Sequence, residues 1–175
     1  METAYLSLGS NRGDRKALLA QATDLIRQRV GSVVCCSPLY ETPPWGQFAE
    51  GEDLPFLNMA LALETPLAPQ ALLATLKEIE ASMGRENVIT SSRNYVITES
   101  RQYHSRPIDI DIVLYGMAVA AMPELTLPHP RMHLRRFVLQ PLCDIAPDVQ
   151  HPLLKKTIQQ LLEECPDHSL LSCCS

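Results

Sequence analysis

With 175 residues, 46% of them apolar and 20% charged, the chain has room for one domain with a substantial core and is cramped for two. A net charge of −5 argues against a protein dedicated to nucleic acid or to anionic membrane surfaces. The start, METAYLSLGSNRGD, has no basic n-region and no long apolar run, and no stretch suits a bilayer span, so one cytoplasmic domain over 1–175 is expected.

The first apolar stretch runs from Ala4 to Leu8 and ends in the turn GSNRGD at 9–14. Asp14 is placed to cap a helix whose apolar face carries Leu18, Leu19, Ala22, Leu25 and Ile26, stopped near Gly31. Ser32 to Tyr40 is rich in β-favouring residues and predicts a second strand, with Pro38 marking an edge or an end. After a loop over 41–55 that holds the only tryptophan, Phe56 to Glu64 predicts a third strand. There Leu57, Met59, Leu61 and Leu63 point one way, and Phe56, Asn58, Ala60 and Ala62 the other. Pro69 opens a second helix with the stripe Leu72, Leu73, Leu76, Ile79 and Met83, closed by Gly84.

The stretch from Arg85 to Arg106 is polar and aperiodic, and its interior, 86–105, is expected to form a mobile loop. Pro107 to Tyr115 predicts the fourth strand. A Pro-rich stretch, the basic cluster RMHLRR at 131–136 and an amphipathic helix near Leu153 to Glu164 follow, and the tail over 165–175 is expected to fray. The order β-α-β-β-α-β predicts an α+β, ferredoxin-like sandwich: an antiparallel sheet, helices on one face, the other face free for a site, and a C-terminal strand and helix appendage. The six cysteines form no CxxC pair and no zinc-finger spacing with histidine, so they are expected to be reduced thiols.

Within the fourth strand, Ile108, Ile110, Ile112 and Leu114 alternate with Asp109, Asp111, Val113 and Tyr115. With the isoleucines turned to the helices, both aspartates project from the opposite face. Residues two apart on a strand are about 6.6 Å apart. Two like charges at that distance repel by roughly 2.5 kcal/mol at an effective dielectric of 20. Either the pair is a solvated strand face, or cations offset the repulsion. Hard Mg²⁺ ions prefer carboxylate oxygens, and two of them can share such a pair with a polyphosphate. Around the pair, Arg85 and Arg106 bracket the loop, and His129, Arg131, Arg135 and Arg136 follow, a dense cation set for an acidic protein. The chain has no P-loop and no kinase-type Gly-rich loop, so ATP, if bound, is held by arginines and metal ions.

YLSLGSN, YETPPWG, FLN, IEASMGR, RPIDIDIVLYG and LTLPHPRMHLRRFVLQPL occur in this order over residues 4 to about 152. Together they resemble the 6-hydroxymethyl-7,8-dihydropterin pyrophosphokinases of folate biosynthesis. The resemblance implies transfer of an intact pyrophosphoryl group from ATP to the hydroxymethyl oxygen of the reduced pterin, releasing AMP. It implies two Mg²⁺ ions on Asp109 and Asp111, with Arg85 and Arg106 completing the catalytic set. Implied ATP contacts are Lys77, Glu80, Arg85, Tyr103, Arg106, Ile112, Thr126, His129 and Arg135. Implied pterin contacts are Thr42, Pro44, Trp45, Phe56, Asn58 and Phe137. Residue chemistry agrees for Asn58, whose amide offers donor and acceptor beside an aromatic ring on the open face.

Two features depart from the family pattern. The loop between Arg85 and Arg106 is longer, which leaves Arg93, Arg101 and Arg106 as competing phosphate contacts, and Tyr103 stands where many members carry tryptophan. The expected partners are ATP and the pterin alcohol, with no nucleic acid or membrane, acting on a monomer. The competing readings are a non-catalytic ferredoxin-like ligand-binding or regulatory module, and a metal-dependent phosphohydrolase.

Overall fold

The computed structural model of the chain describes residues 1–44, 54–84 and 107–174. The long strand β1 (Glu2–Ser10) leads into helix α1 (Arg15–Arg29), followed by β2 (Ser32–Cys36), β3 (Leu39–Thr42), β4 (Phe56–Thr65) and helix α2 (Pro69–Ser82). Next come β5 (Asp109–Tyr115), the short hairpin of β6 (Ala120–Ala121) and β7 (Thr126–Leu127), α3 (Arg136–Ile145), α4 (Ile158–Glu163) and β8 (Ser172–Cys174). The main sheet has the order β5-β1-β4-β3-β8, with β2 also on β4, and every pairing is antiparallel. No helix among the described residues is long and apolar enough to cross a membrane.

Local chemistry accounts for the boundaries. Asp14 caps α1, its Oδ1 accepting the Ala17 N–H at 3.1 Å. Gly31 follows α1 because the chain there runs against β4, where a Cβ would lie 2.1 Å from the Glu64 carbonyl oxygen. The single strand expected over Ser32–Tyr40 is interrupted at Ser37–Pro38, since Pro38 has no N–H to give. Ser37 bridges the break: its N–H donates to the Ala60 carbonyl and its Oγ accepts the Ala60 N–H, both at 2.9 Å. β3 then continues to Thr42, two residues beyond the expected end.

One face of the sheet buries the expected apolar set against α1 and α2. Leu6 and Leu8 of β1, Leu61 and Leu63 of β4, Leu19 and Ile26 of α1, and Leu72, Leu76 and Ile79 of α2 are all at most 1% exposed. Each such side chain contributes about 2 kcal/mol of transfer free energy.

The second face differs from expectation. It is not free throughout, because α3 and α4 cover part of it. Val138, Leu139 and Leu142 of α3 and Ile158, Leu161 and Leu162 of α4 pack with Val113, Leu114 and Ala60. Leu114 reaches that side because β5 carries a bulge. Tyr5 faces Leu114 while Leu6 faces Ile112, so Val113 is the extra residue. The bulge exchanges the expected faces of Leu114 and Tyr115, and Tyr115 joins the core under α1 and α2. The final helix is shorter than its expected span and starts at a Thr157–Gln160 capping box. The tail expected to fray instead adds β8 to the sheet edge.

Candidate active site

The part of the second face that no described helix covers is built by register. Tyr5, Ser7 and Gly9 of β1 alternate with the core leucines. Gly9 lies opposite Asn58 on β4 and Asp109 on β5; Ser7 lies opposite Ala60 and Asp111. Two rows therefore cross three strands, each ending in a half-buried aspartate on the edge strand. At about 4.8 Å per strand spacing, the Asn58 and Asp109 columns are about 10 Å apart.

Asn58 anchors one end. It is 4% exposed, and its Nδ2 donates to Thr42 Oγ1 at 2.7 Å, fixing the amide. A Cβ on Gly9 would stand 2.7 Å from Asn58 Oδ1 and 3.6 Å from the Phe56 ring, so a side chain there would displace the amide. Phe56 is half-buried alongside, and so is Pro44, two residues beyond Thr42 in the chain. Arg15 and Asn11 hold the chain just before β4, donating to the Pro55 carbonyl at 3.0 Å and the Leu54 carbonyl at 3.3 Å.

The other end gathers charge. The His129 N–H donates to the Val113 carbonyl at 2.9 Å, tying the histidine to β5. Its Nδ1 accepts the Arg131 N–H at 3.2 Å, which leaves the ring proton of neutral His129 on Nε2. Burial and the guanidinium of Arg135 push its pKa down to about 4, against the opposing pull of Asp109 and with a smaller push from Arg131. Asp109, His129 and Arg135 thus sit within electrostatic reach of one another, with a neutral imidazole at pH 7. The Arg135 guanidinium also stands 5.7 Å from the centroid of the Phe137 ring.

Other expected contacts fall differently. Glu80 is 3% exposed, and its Oε1 accepts the Ile110 N–H at 2.7 Å. Its carboxylate thus braces the outer edge of β5 between the two aspartates, a structural task not foreseen. Ile112 has its side chain in the core under α1 and α2, as expected of the isoleucines, so only its backbone is available at the strand. Lys77 on α2 and Thr126 on β7 are exposed. Trp45, Arg85, Tyr103 and Arg106, and the loop over 86–105 with Arg93 and Arg101, lie outside the described residues.

Sequence reasoning missed Ser7 and Gly9, although the small residues alternating through YLSLGS marked a strand face with little bulk. It also missed Tyr40, whose hydroxyl donates to Asp144 Oδ2 at 2.6 Å and joins β3 to α3. Burial and that carboxylate push the Tyr40 pKa up to about 12.

Among the described residues no three His, Cys, Asp or Glu converge as a metal cluster. Two carboxylates do not make a closed zinc site. They do suit Mg²⁺, which keeps waters and takes one or two carboxylates plus phosphate oxygens.

The model of the 7,8-dihydro-6-hydroxymethylpterin-pyrophosphokinase (HPPK) family matches residues 5–147. The chain belongs to the HPPK family. A Porphyromonas gingivalis protein named 2-amino-4-hydroxy-6-hydroxymethyldihydropteridine pyrophosphokinase is 45% identical over 148 residues, covering 84% of this chain and 92% of its own length. The protein of the same name from Methylorubrum extorquens is 41% identical over 150 residues, 85% of each chain. A crystal structure of a Plasmodium falciparum HPPK-DHPS triple mutant with SDX-DHP superposes with a TM-score of 0.72 at 19% identity. That match covers 93% of this chain and 44% of the longer one, and it speaks to the fold alone.

Proposed function

We propose that this HPPK-family chain transfers the pyrophosphoryl group of ATP to the hydroxymethyl oxygen of 6-hydroxymethyl-7,8-dihydropterin in folate biosynthesis. The pterin oxygen bonds to the β-phosphorus, the bond from that phosphorus to the α-phosphate oxygen breaks, AMP leaves, and the hydroxyl proton passes to solvent. The observation that carries this reading is the pair of cross-strand rows, which puts a fixed amide and a carboxylate pair on one face about 10 Å apart. That separation fits a heterocycle at Asn58 whose hydroxymethyl arm reaches toward phosphates at Asp109 and Asp111.

Asn58 and Thr42 would read the pterin edge, with Phe56, Pro44, Trp45 and Phe137 around its faces. Asp109 and Asp111 would hold two Mg²⁺ ions; when bound, these neutralise phosphate charge and lower the pKa of the attacking hydroxyl. Arg135 and the Nε2–H of neutral His129 would donate to phosphate oxygens, and Arg85 and Arg106 would clamp them. Orientation and charge stabilisation are the whole of the protein's contribution, as in other phosphoryl transfers.

The strand order, with β2 and β3 counted as one interrupted strand, supports a ferredoxin-like frame. All six cysteines are unpaired, which suits a reducing cytoplasm.

Phosphorus NMR of a reaction with ATP, Mg²⁺ and the pterin alcohol tests the reading. AMP and a pterin pyrophosphate should accumulate in equal amounts. ADP or free phosphate would instead favour a kinase or phosphohydrolase, and no turnover a binding module.

A further inference from the structure

Helix α3 begins with an unusual residue for its job. Its N-cap is Arg135, which makes no side-chain cap hydrogen bond, and a guanidinium has no acceptor with which to make one. The Val138 and Leu139 N–H groups both find the Arg135 carbonyl at 3.1 Å. The N–H of Arg136 finds its acceptor 31 residues downstream, where Asp167 Oδ2 takes it at 3.0 Å. The other oxygen of Asp167 is held by its own tail, accepting the Ser169 N–H at 2.9 Å and the Ser169 hydroxyl.

The tail is fastened twice. Beyond Asp167, β8 pairs with β3, placing Cys174 opposite Leu39, Cys173 opposite Tyr40 and Ser172 opposite Glu41. β3 carries Thr42, the partner of Asn58, and α3 carries Phe137, two residues after the N-cap Arg135. A segment lying beyond the family-matched residues 5–147 therefore grips both elements that flank the proposed pterin and phosphate contacts. Burial would raise the Asp167 pKa, but the hydrogen bonds from Ser169 and Arg136 outweigh it and leave the pKa low, so the carboxylate is charged at pH 7 and favoured at a helix start.

We propose that Asp167 is a positioning residue for the reaction: at a helix start where Arg135 offers no acceptor it takes the first N–H of α3, and so sets the turn from which Arg135 and Phe137 project. An arginine can then occupy the N-cap position and serve the site, because the tail carries the capping chemistry. This inference rests on the pyrophosphokinase reading for its substrates.

The test uses the full chain and three variants, Asp167→Ala, Asp167→Asn and Ser169→Ala, read by steady-state kinetics and by calorimetric binding of the pterin alcohol and a non-hydrolysable ATP analogue. Asp167→Ala should raise KM and the dissociation constants by about fivefold, the effect of a lost cap, with a smaller change in kcat. Asp167→Asn, still an acceptor, should stay within about twofold. Ser169→Ala should shift the same constants in the same direction by less. An Asp167→Ala chain that melts earlier yet keeps wild-type KM and dissociation constants would reduce Asp167 to a structural role and overturn the proposal. Should that variant not fold, unchanged constants in Ser169→Ala would overturn it. A wild-type chain that binds both ligands but makes no AMP would contradict pyrophosphoryl transfer, and the Asp167 comparison would still be decided by the dissociation constants.

Discussion

The two faces of the sheet are built from the same strands and do different work. On the face under α1 and α2, apolar side chains alternate without interruption through β1 and β4 and are sealed by two long helices. On the other face, β1 presents Tyr5, Ser7 and Gly9 and β5 presents two aspartates, and among the described residues the shorter α3 and α4 cover part of it. The first face holds the strands in register. The second face uses that register to set polar groups at fixed spacings, so its precision depends on a core it does not touch.

The comparison is most easily strained from the core side. Leu76→Ala, at a fully buried site on α2, should cost about 2–5 kcal/mol in chemical denaturation while leaving the KM of whatever remains folded unchanged. A selective loss of substrate affinity without loss of stability would mean the two faces are not separable in this way.

His129 gives the next effect. Its folded pKa of about 4 lies below the ordinary 6.5, so the unfolded chain binds more protons between those values. Its contribution to stability is therefore complete above pH 6.5 and is lost as the pH falls through 4, by up to about 3 kcal/mol. His129→Gln should flatten that part of the stability–pH curve. An unchanged curve would show that the histidine is already solvated.

A smaller and more local change is Gly9→Ala. The new methyl would collide with Asn58 Oδ1. Displacing a buried hydrogen-bonded amide costs about 1–3 kcal/mol, so the KM for the pterin should rise roughly tenfold with little change for ATP. Equal effects on both substrates would put Asn58 outside the pterin end.

Much of the first face was legible in the sequence because period-2 and period-3.6 patterns of leucine and isoleucine leave few alternatives. The carboxylate pair was legible for the converse reason: two aspartates within an isoleucine strand break a rule. What escaped depended on single atoms or on distant partners. The Val113 bulge is silent because IVLY reads as apolar in either register. Pro141 inside FVLQPL concealed α3, where tertiary packing against Ala60 and Leu114 outweighs the lost backbone hydrogen bond. Glu80 stood only as an implied ATP contact, because its task as acceptor for the Ile110 N–H depends on a partner 30 residues away. Nothing in the local pattern of SCC announces a strand, because β8 exists only through its pairing with β3.

The most direct measurement is calorimetric binding of a non-hydrolysable ATP analogue, with and without Mg²⁺, to the wild-type chain and to Asp109→Asn with Asp111→Asn. The wild type should bind much more tightly with Mg²⁺. The double variant should lose that dependence while keeping its circular dichroism, since asparagine keeps the size of each side chain and an acceptor oxygen. Undiminished Mg²⁺-dependent binding in the double variant would contradict the account, because the nucleotide would then be held somewhere other than this edge of the sheet.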